Sequence, residues 1–266
     1  MSTGSTWVLH ATAGPDEVDL HLAELRGAGM LGSAEVDGRV DVYFPRCVAG
    51  LSLPGVWERI PDRDWHALWR EGLTPVAAGQ WIITPSWHAT GAGNEVVIDP
   101  GQAFGTGHHE TTVWCLRALD EVPVEGRRLL DLGTGSGVLA ITAARRGARV
   151  VAVDIDPLAV AATVANTRRN HTSIDVRLGD VDVVAGERFD VIVANLDSAT
   201  LTRLAQALSA LLDDHGTLVA SGIGNDNSAA VATAMRAAGL QVTTTAGTEW
   251  SLLRARPDPA RRSIAR

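Results

Sequence analysis

Two glycine-rich segments, and the acids and amides that close the apolar runs around them, hold the residues whose types and spacing suit chemistry. The first segment is Asp131-Leu132-Gly133-Thr134-Gly135-Ser136-Gly137. It follows the apolar pair Leu129-Leu130 and leads into a helical pattern; a second apolar run, Val150 to Val153, then ends at Asp154. Glycines let the backbone approach a bound nucleotide, and an acid at the tip of the next strand suits ribose hydroxyls. Asp154 lies 21 residues beyond Gly133, near the offset expected for ribose recognition. A lone glycine turn is weak evidence. Strand, turn, helix, strand and acid in register describe a nucleotide-type cofactor site.

The spacing bears on which cofactor. A dinucleotide fold favours G-x-G-x-x-G, whose third glycine lets the helix pack closely with its N-terminus facing pyrophosphate. Here the pattern is G-x-G-x-G, with Asp131 two residues before the first glycine. S-adenosylmethionine has no phosphate but carries a sulfonium and an ammonium, which a strand-end carboxylate can engage directly or through water. The segment favours S-adenosylmethionine. A nicotinamide oxidoreductase and a non-enzymatic cofactor-sensing module remain as alternatives.

The second segment runs from Asp99 to Thr112 and opens a helix at Glu110-Thr111-Thr112. Free amides at a helix N-terminus suit a carboxylate such as that of methionine. His108 and His109 are adjacent and lack a third ligand at metal spacing, so no metal is expected. An acid/base or positioning role stands beside capping or loop packing. In open α/β sheets ligands bind beyond the carboxyl ends of the strands, which selects Asp131 to Gly137, Asp154, Asp180 and Asn195. Asp180 either faces the cofactor base or is a solvated turn residue. Asn195 ends the run Val191-Ile192-Val193-Ala194, and its amide offers donor and acceptor to cofactor or incoming amine. The alternative is a turn bond, and the rim position favours function.

These residues need a scaffold, and the chain of 266 residues has room for a main domain and a small one. From Arg127 onwards strand and helix alternate, as a doubly wound sheet requires. Strands are expected at 127–132, 149–154, 174–178, 189–195 and 217–221, with helices at 137–146, 157–169, 199–212 and 228–238. The closing strands 241–245 and 249–254 suit a methyltransferase sheet, whose last strand is antiparallel. In front, strand 7–10, helix 16–26 and a hairpin of 35–36 with 40–44 form a β-α-β-β unit. A helix at 61–70, with Trp65, Leu68 and Trp69 on one face, connects it to strands 81–84 and 95–98. The expected domains are 1–56, a linker helix over 57–75, and 76–266.

Composition sets outer limits. The chain is 45% hydrophobic and 20% charged, which describes a globular protein. A net charge of −8 supplies no global basic field for nucleic acid. All 23 basic residues are arginine, and no lysine occurs. Cys47 and Cys115 lie far apart and form no metal pattern, which suits a reducing cytoplasmic setting. No signal peptide or apolar run of membrane length is present, and a soluble monomer is the expectation.

The stretch from Ile98 to Thr112, DLGTGSGVLAI at 131–141, VDIDP at 153–157 and VANL at 193–196 together closely resemble the PrmA family. Its members are methyltransferases acting on the eleventh protein of the bacterial large ribosomal subunit. Gly55-Val56-Trp57-Glu58, Asp64-Trp65 with Trp69, and Glu249-Trp250 extend the likeness over nearly the whole chain. The resemblance implies a small N-terminal α+β substrate-recognition domain, a linker helix, and an α/β class I S-adenosylmethionine-dependent domain with a Rossmann-like, mostly parallel seven-stranded sheet. It implies methyl transfer to lysine ε-amines and the N-terminal α-amine of that ribosomal protein. The family's cofactor positions fall on Thr112, Gly133, Asp154 and Asn195, with Phe104 and Thr106 in the adjoining loop. Asp197 places an extra carboxylate beside the rim, which either favours a cationic amine or marks another substrate, such as a different protein or a peptide metabolite.

Overall fold

The computed structural model describes residues 6–12, 18, 21–36, 39–60, 74–99, 107 and 109–262. The chain divides into two compact units, Met1–Leu73 and Thr74–Arg266. Among the described residues no helix is long and apolar enough to cross a membrane. The linker helix expected at 61–70 lies outside the described residues.

In the first unit, β1 (Thr6–Ala11), β2 (Gly32–Val36), β3 (Arg39–Phe44) and β4 (Gly55–Ile60) form an antiparallel sheet in the order β2-β3-β1-β4. Leu9, Val42 and Phe44 on one face meet Leu25 of α1 (Leu22–Gly27) in a small core, and Trp57 packs on Phe44 with ring centroids 5.2 Å apart. Strand β4 corrects the expected boundary, because residues 57–60 belong to this sheet and not to a linker helix. It is an edge strand whose residues are mostly exposed, so it carries no apolar alternation to read.

In the second unit, β5 (Val76–Ala78), β6 (Trp81–Thr84) and β7 (Glu95–Val97) make a three-stranded sheet. The main sheet has seven strands: β8 (Arg128–Leu132), β9 (Arg149–Asp154), β10 (Ile174–Leu178), β11 (Phe189–Asn195), β12 (Leu212–Gly224), β13 (Leu240–Ala246) and β14 (Trp250–Pro257). Their order is β10-β9-β8-β11-β12-β14-β13, and β14 runs antiparallel to both its neighbours. The sheet is therefore doubly wound, with a reversed last strand.

Both faces are covered, and successive residues of each strand point to opposite layers. Leu130, Ile192 and Leu218 pack against Leu201, Leu204 and Leu208 of α5 (Ser198–Leu211) and Val231 and Met235 of α6 (Ser228–Ala237). Leu129, Val191 and Val219 pack against Leu116 and Leu119 of α2 (Glu110–Asp120) and Leu139 and Ile141 of α3 (Val138–Arg145). Helix α4 (Pro157–Arg169) starts at the cap Asp156, whose carboxylate accepts the Leu158 N–H at 2.8 Å. Strand β12 is longer than the expected 217–221. It pairs with β11 at Leu212 and again from Thr217, with a shift of register between.

Candidate active site

The polar residues converge where this topology places ligands, at the carboxyl ends of β8, β9, β10 and β11. A cavity of about 390 Å³ opens there, lined by Gly133 and Gly135 of the turn, Asp154, Asp180, Asn195 and Thr112 among others. That size falls within the usual range for small-molecule sites.

The glycine turn is fixed from three sides. The amides of Gly133 and Thr134 both donate to the Val153 carbonyl, at 2.8 and 3.1 Å. From α4, Thr163 Oγ1 donates to the Gly135 carbonyl at 2.9 Å and Asn166 Nδ2 to the Ser136 carbonyl at 2.8 Å. Asp154 Oδ2 accepts the Gly135 N–H at 2.9 Å, while its Oδ1 accepts the Asp156 N–H at 3.0 Å. The carboxylate is thus oriented by the backbone and keeps lone pairs for further donors. At Gly133, φ is +76°, and a Cβ there would come within 2.3 Å of Leu196 Cδ2. Only glycine suits that position.

Asn195 and Thr112 meet across the cavity lining, with Asn195 Nδ2 donating to Thr112 Oγ1 at 3.2 Å. Asn195 Oδ1 has no hydrogen-bond partner among the described residues. Thr112 is 1% exposed, held by the first turn of α2. Asp180 caps the short 3₁₀ turn Val181–Val184 through Oδ1, at 2.7 Å from the Val181 nitrogen, and its Oδ2 accepts from Arg203 Nη1 at 3.1 Å.

Three expectations change. Asp131 does not line the cavity; it is fully buried beneath the turn, and its Oδ2 accepts from Thr134 Oγ1 at 2.8 Å and the Ala140 amide at 3.1 Å. Its Oδ1 is buried with no hydrogen-bond partner among the described residues, and burial pushes the carboxyl up to about 7. The spacing that places an acid at a strand end puts this one inside the α3 interface. His109 does not line the cavity either. It caps α2, with Nδ1 2.7 Å from Thr111 Oγ1, and its ring stands edge-on to Trp250 at 5.1 Å. Asp197 lines the cavity, yet both its oxygens serve α5 as an N-cap, taking the Thr200 N–H at 2.9 Å and the Thr200 hydroxyl at 2.6 Å. Those bonds hold its carboxyl below the ordinary aspartate range. Phe104, Thr106 and His108 lie outside the described residues.

Sequence reasoning passed over Ile155, Leu196, Thr200, Arg203 and Leu204, all on the cavity lining. Ile155 carried a signal: an apolar residue directly after the strand-end acid, and 72% exposed. The α5 residues carried none, because only tertiary packing brings that helix to the rim.

The donor set fits an adenosyl cofactor. Asp154 offers acceptors for ribose hydroxyls, the turn is free of side chains at Gly133 and Gly135, and the glycines lack the third-position spacing suited to pyrophosphate.

A family sequence model described as Ribosomal protein L11 methyltransferase (PrmA) matches residues 48–257. The Ribosomal protein L11 methyltransferase of Thermus thermophilus is 38% identical over 250 residues, covering 93% of this chain and 98% of that one. That of Deinococcus radiodurans is 38% identical over 263 residues, covering 91% and 95%. Among solved structures, ribosomal protein L11 methylase from Lactobacillus delbrueckii subsp. bulgaricus superposes with a TM-score of 0.65 at 26% identity, covering 70% of this chain and 100% of that one. A T. thermophilus 16S rRNA N2 G1207 methyltransferase, solved with AdoMet and guanosine, has a TM-score of 0.54 at 19% identity over 97% of this chain and 66% of that one, which speaks for the fold alone. With the cavity, the sheet order and the match over most of its length in agreement, the chain belongs to the ribosomal protein L11 methyltransferase family of S-adenosylmethionine-dependent methyltransferases.

Proposed function

We propose that the protein methylates amines of ribosomal protein L11, at lysine side chains and at the N-terminal α-amine. The observation that carries this is the Asn195–Thr112 pair on the wall of the cavity that Asp154 and the glycine turn define. The names of the relatives support the substrate. S-adenosylmethionine, when bound, supplies an electrophilic methyl group on sulfur.

The chain's own residues then have three tasks. Asp154 accepts hydrogen bonds from the ribose, Gly133 and Gly135 allow close backbone approach, and Thr112 with Asn195 closes the wall near the methyl end. Phe104 and Thr106 belong to the same proposal through their place in the family motif. Asn195 uses its amide nitrogen on Thr112, which leaves its carbonyl oxygen to accept an N–H of the incoming amine and so aim the nitrogen lone pair.

The amine must arrive neutral. For an ordinary lysine of pKa ~10.4, deprotonation at pH 7 costs about 4–5 kcal/mol, and less for an α-amine near 8. Desolvation on docking lowers that cost. His109 is engaged as a helix cap, so the described residues assign no general base, and proton loss to solvent before docking suffices. The first unit serves substrate recognition in this reading, the chain acts as a monomer, and its net charge of −8 favours a basic protein substrate over nucleic acid.

Incubating the protein with labelled S-adenosylmethionine and purified L11, then locating the label by mass spectrometry, tests the proposal. Label on L11 amines is expected. Unlabelled L11, with label on another protein or a peptide metabolite in a parallel incubation with cell lysate, would move the substrate while leaving the reaction intact.

A further inference from the structure

The turn that joins β13 to β14, Gly247-Thr248-Glu249, is clamped by a residue from another element. Asn225 follows the end of β12, and both ends of its side-chain amide are engaged there. Nδ2 donates to the Gly247 and Thr248 carbonyls, each at 3.1 Å, and Oδ1 accepts from Ser251 Oγ at 2.8 Å. Its backbone N–H donates to the Glu249 carbonyl at 3.0 Å. The turn does not need this clamp to close, because the Gly247 N–H already donates to the Trp250 carbonyl at 2.8 Å. The clamp instead sets where the turn sits.

Two paths lead from Asn225 to the Asn195–Thr112 pair. Along the first, the turn rests on α2. Gly247 lies against the Trp114 ring, where a Cβ would collide with the ring carbons, and Trp250 packs on His109, the cap of the helix. The His109 carbonyl in turn accepts the Thr112 N–H at 3.0 Å. Along the second, Ser251 carries the contact into the sheet. Ser221 Oγ donates to the Ser251 carbonyl at 3.1 Å, and Ser221 pairs in register with Asn195. Both serines are fully buried, and a buried polar chain whose hydroxyls are all paired specifies a single arrangement.

We infer that Asn225 is a positioning residue for methyl transfer. By clamping the turn it holds the first turn of α2 against the end of β11, and so keeps the Asn195 amide aimed at the incoming amine. Asn225 lies off the cavity lining and acts through Thr112. The inference rests on the reading that the Asn195–Thr112 pair orients the amine. A misplacement of about 1 Å that starts far from the chemistry can cost on the order of 100-fold in rate. Here the backbone bond of Asn225 and the Trp250 contact survive loss of the side chain, so the expected loss is smaller.

The test is a double-mutant cycle on kcat with L11 as substrate, well below the melting temperature of every variant. Asn225→Ala should lower kcat by about 5- to 10-fold while KM for L11 changes by less than about 2-fold. Ser251→Ala, which keeps both carbonyl bonds of Asn225, should lose about 2- to 3-fold. In Thr112→Val the bond through which Asn225 acts is already gone, so adding Asn225→Ala should cost less than about 2-fold more. Wild-type kcat in Asn225→Ala, or a double variant whose loss equals the product of the single losses, would overturn the inference. Hydrogen exchange at the Thr112 and Val113 amides gives a readout that needs no substrate. Asn225→Ala should speed it by about 10-fold with the β8 amides unchanged, and unchanged exchange at α2 would also overturn the inference. If Thr112→Val turns over like the wild type, the reading of the pair fails and takes the role of Asn225 in methyl transfer with it. If Thr112→Val is impaired and Asn225→Ala is not, only the role of Asn225 fails.

Discussion

Asn195 Nδ2 donates to Thr112 Oγ1 at 3.2 Å, joining the end of β11 to the first turn of α2 across 83 residues of sequence. The bond fixes which way the amide faces and leaves the carbonyl oxygen to a ligand. Asn195→Ala should lower kcat by about 100-fold and weaken S-adenosylhomocysteine several-fold, since it removes an orienting contact and a wall of the site. Thr112→Val keeps the shape but removes the acceptor, and about a 10-fold loss in kcat is expected. Steady-state kinetics with equilibrium binding separates the effects, and full turnover with intact affinity in Asn195→Ala contradicts the role.

Gly133 combines a φ of +76° with the Leu196 side chain lying where a Cβ would go. Gly133→Ala should destabilise the second unit by about 1–3 kcal/mol, from left-handed backbone strain plus displacement of Leu196. Because Leu196 also lines the cavity, cofactor affinity should fall with stability. Urea unfolding alongside calorimetry reads both, and a variant as stable as the wild type would contradict the close approach.

Asp131 gives the fold a pH dependence of known sign. Its folded value, pushed up to about 7 by burial, lies above its unfolded value of 3.8. Protonation therefore favours the folded state. The stabilisation is complete below about pH 4 and is lost as pH rises through 7. Asp131→Asn removes this titration, so its Tm relative to the wild type should rise between pH 4 and pH 7. A difference constant over that range would show that Asp131 ionises normally.

Asp197 lies on the cavity lining, where an unengaged carboxylate would attract a cationic amine; the structure uses it to cap α5. Asp197→Ala should cost about 1 kcal/mol of stability, and Asp197→Asn, which can still cap, only a few tenths. Thermal melts check this. An increase in KM for the amine substrate in Asp197→Asn, without a change in Tm, would restore the charge role.

The main sheet is legible in the sequence because β9 and β11 are short apolar runs ending in polar residues and β8 runs into the glycine turn, with helical patterns between them. The cavity location follows from the same pattern, since the topology puts the carboxyl ends together. Asp131 misleads because periodicity cannot distinguish an acid facing the cavity from one facing α3. His109 misleads because an N-cap and a catalytic imidazole look alike in sequence. Arg203 is silent, since nothing local to α5 says that its second turn reaches Asp180. Strand β4 is hidden by its exposure, and β12 by Asp213-Asp214-His215-Gly216, which reads as a loop.

The central claim, that the cavity bounded by the glycine turn and Asp154 holds the adenosyl cofactor, is tested most directly by calorimetric titration with S-adenosylhomocysteine. The wild type should bind one equivalent. Asp154→Ala, correctly folded by circular dichroism, should bind at least about 150-fold more weakly, the loss expected for two hydrogen bonds to a charged group. No heat of binding in the wild type, or equal affinity in Asp154→Ala, would contradict the claim.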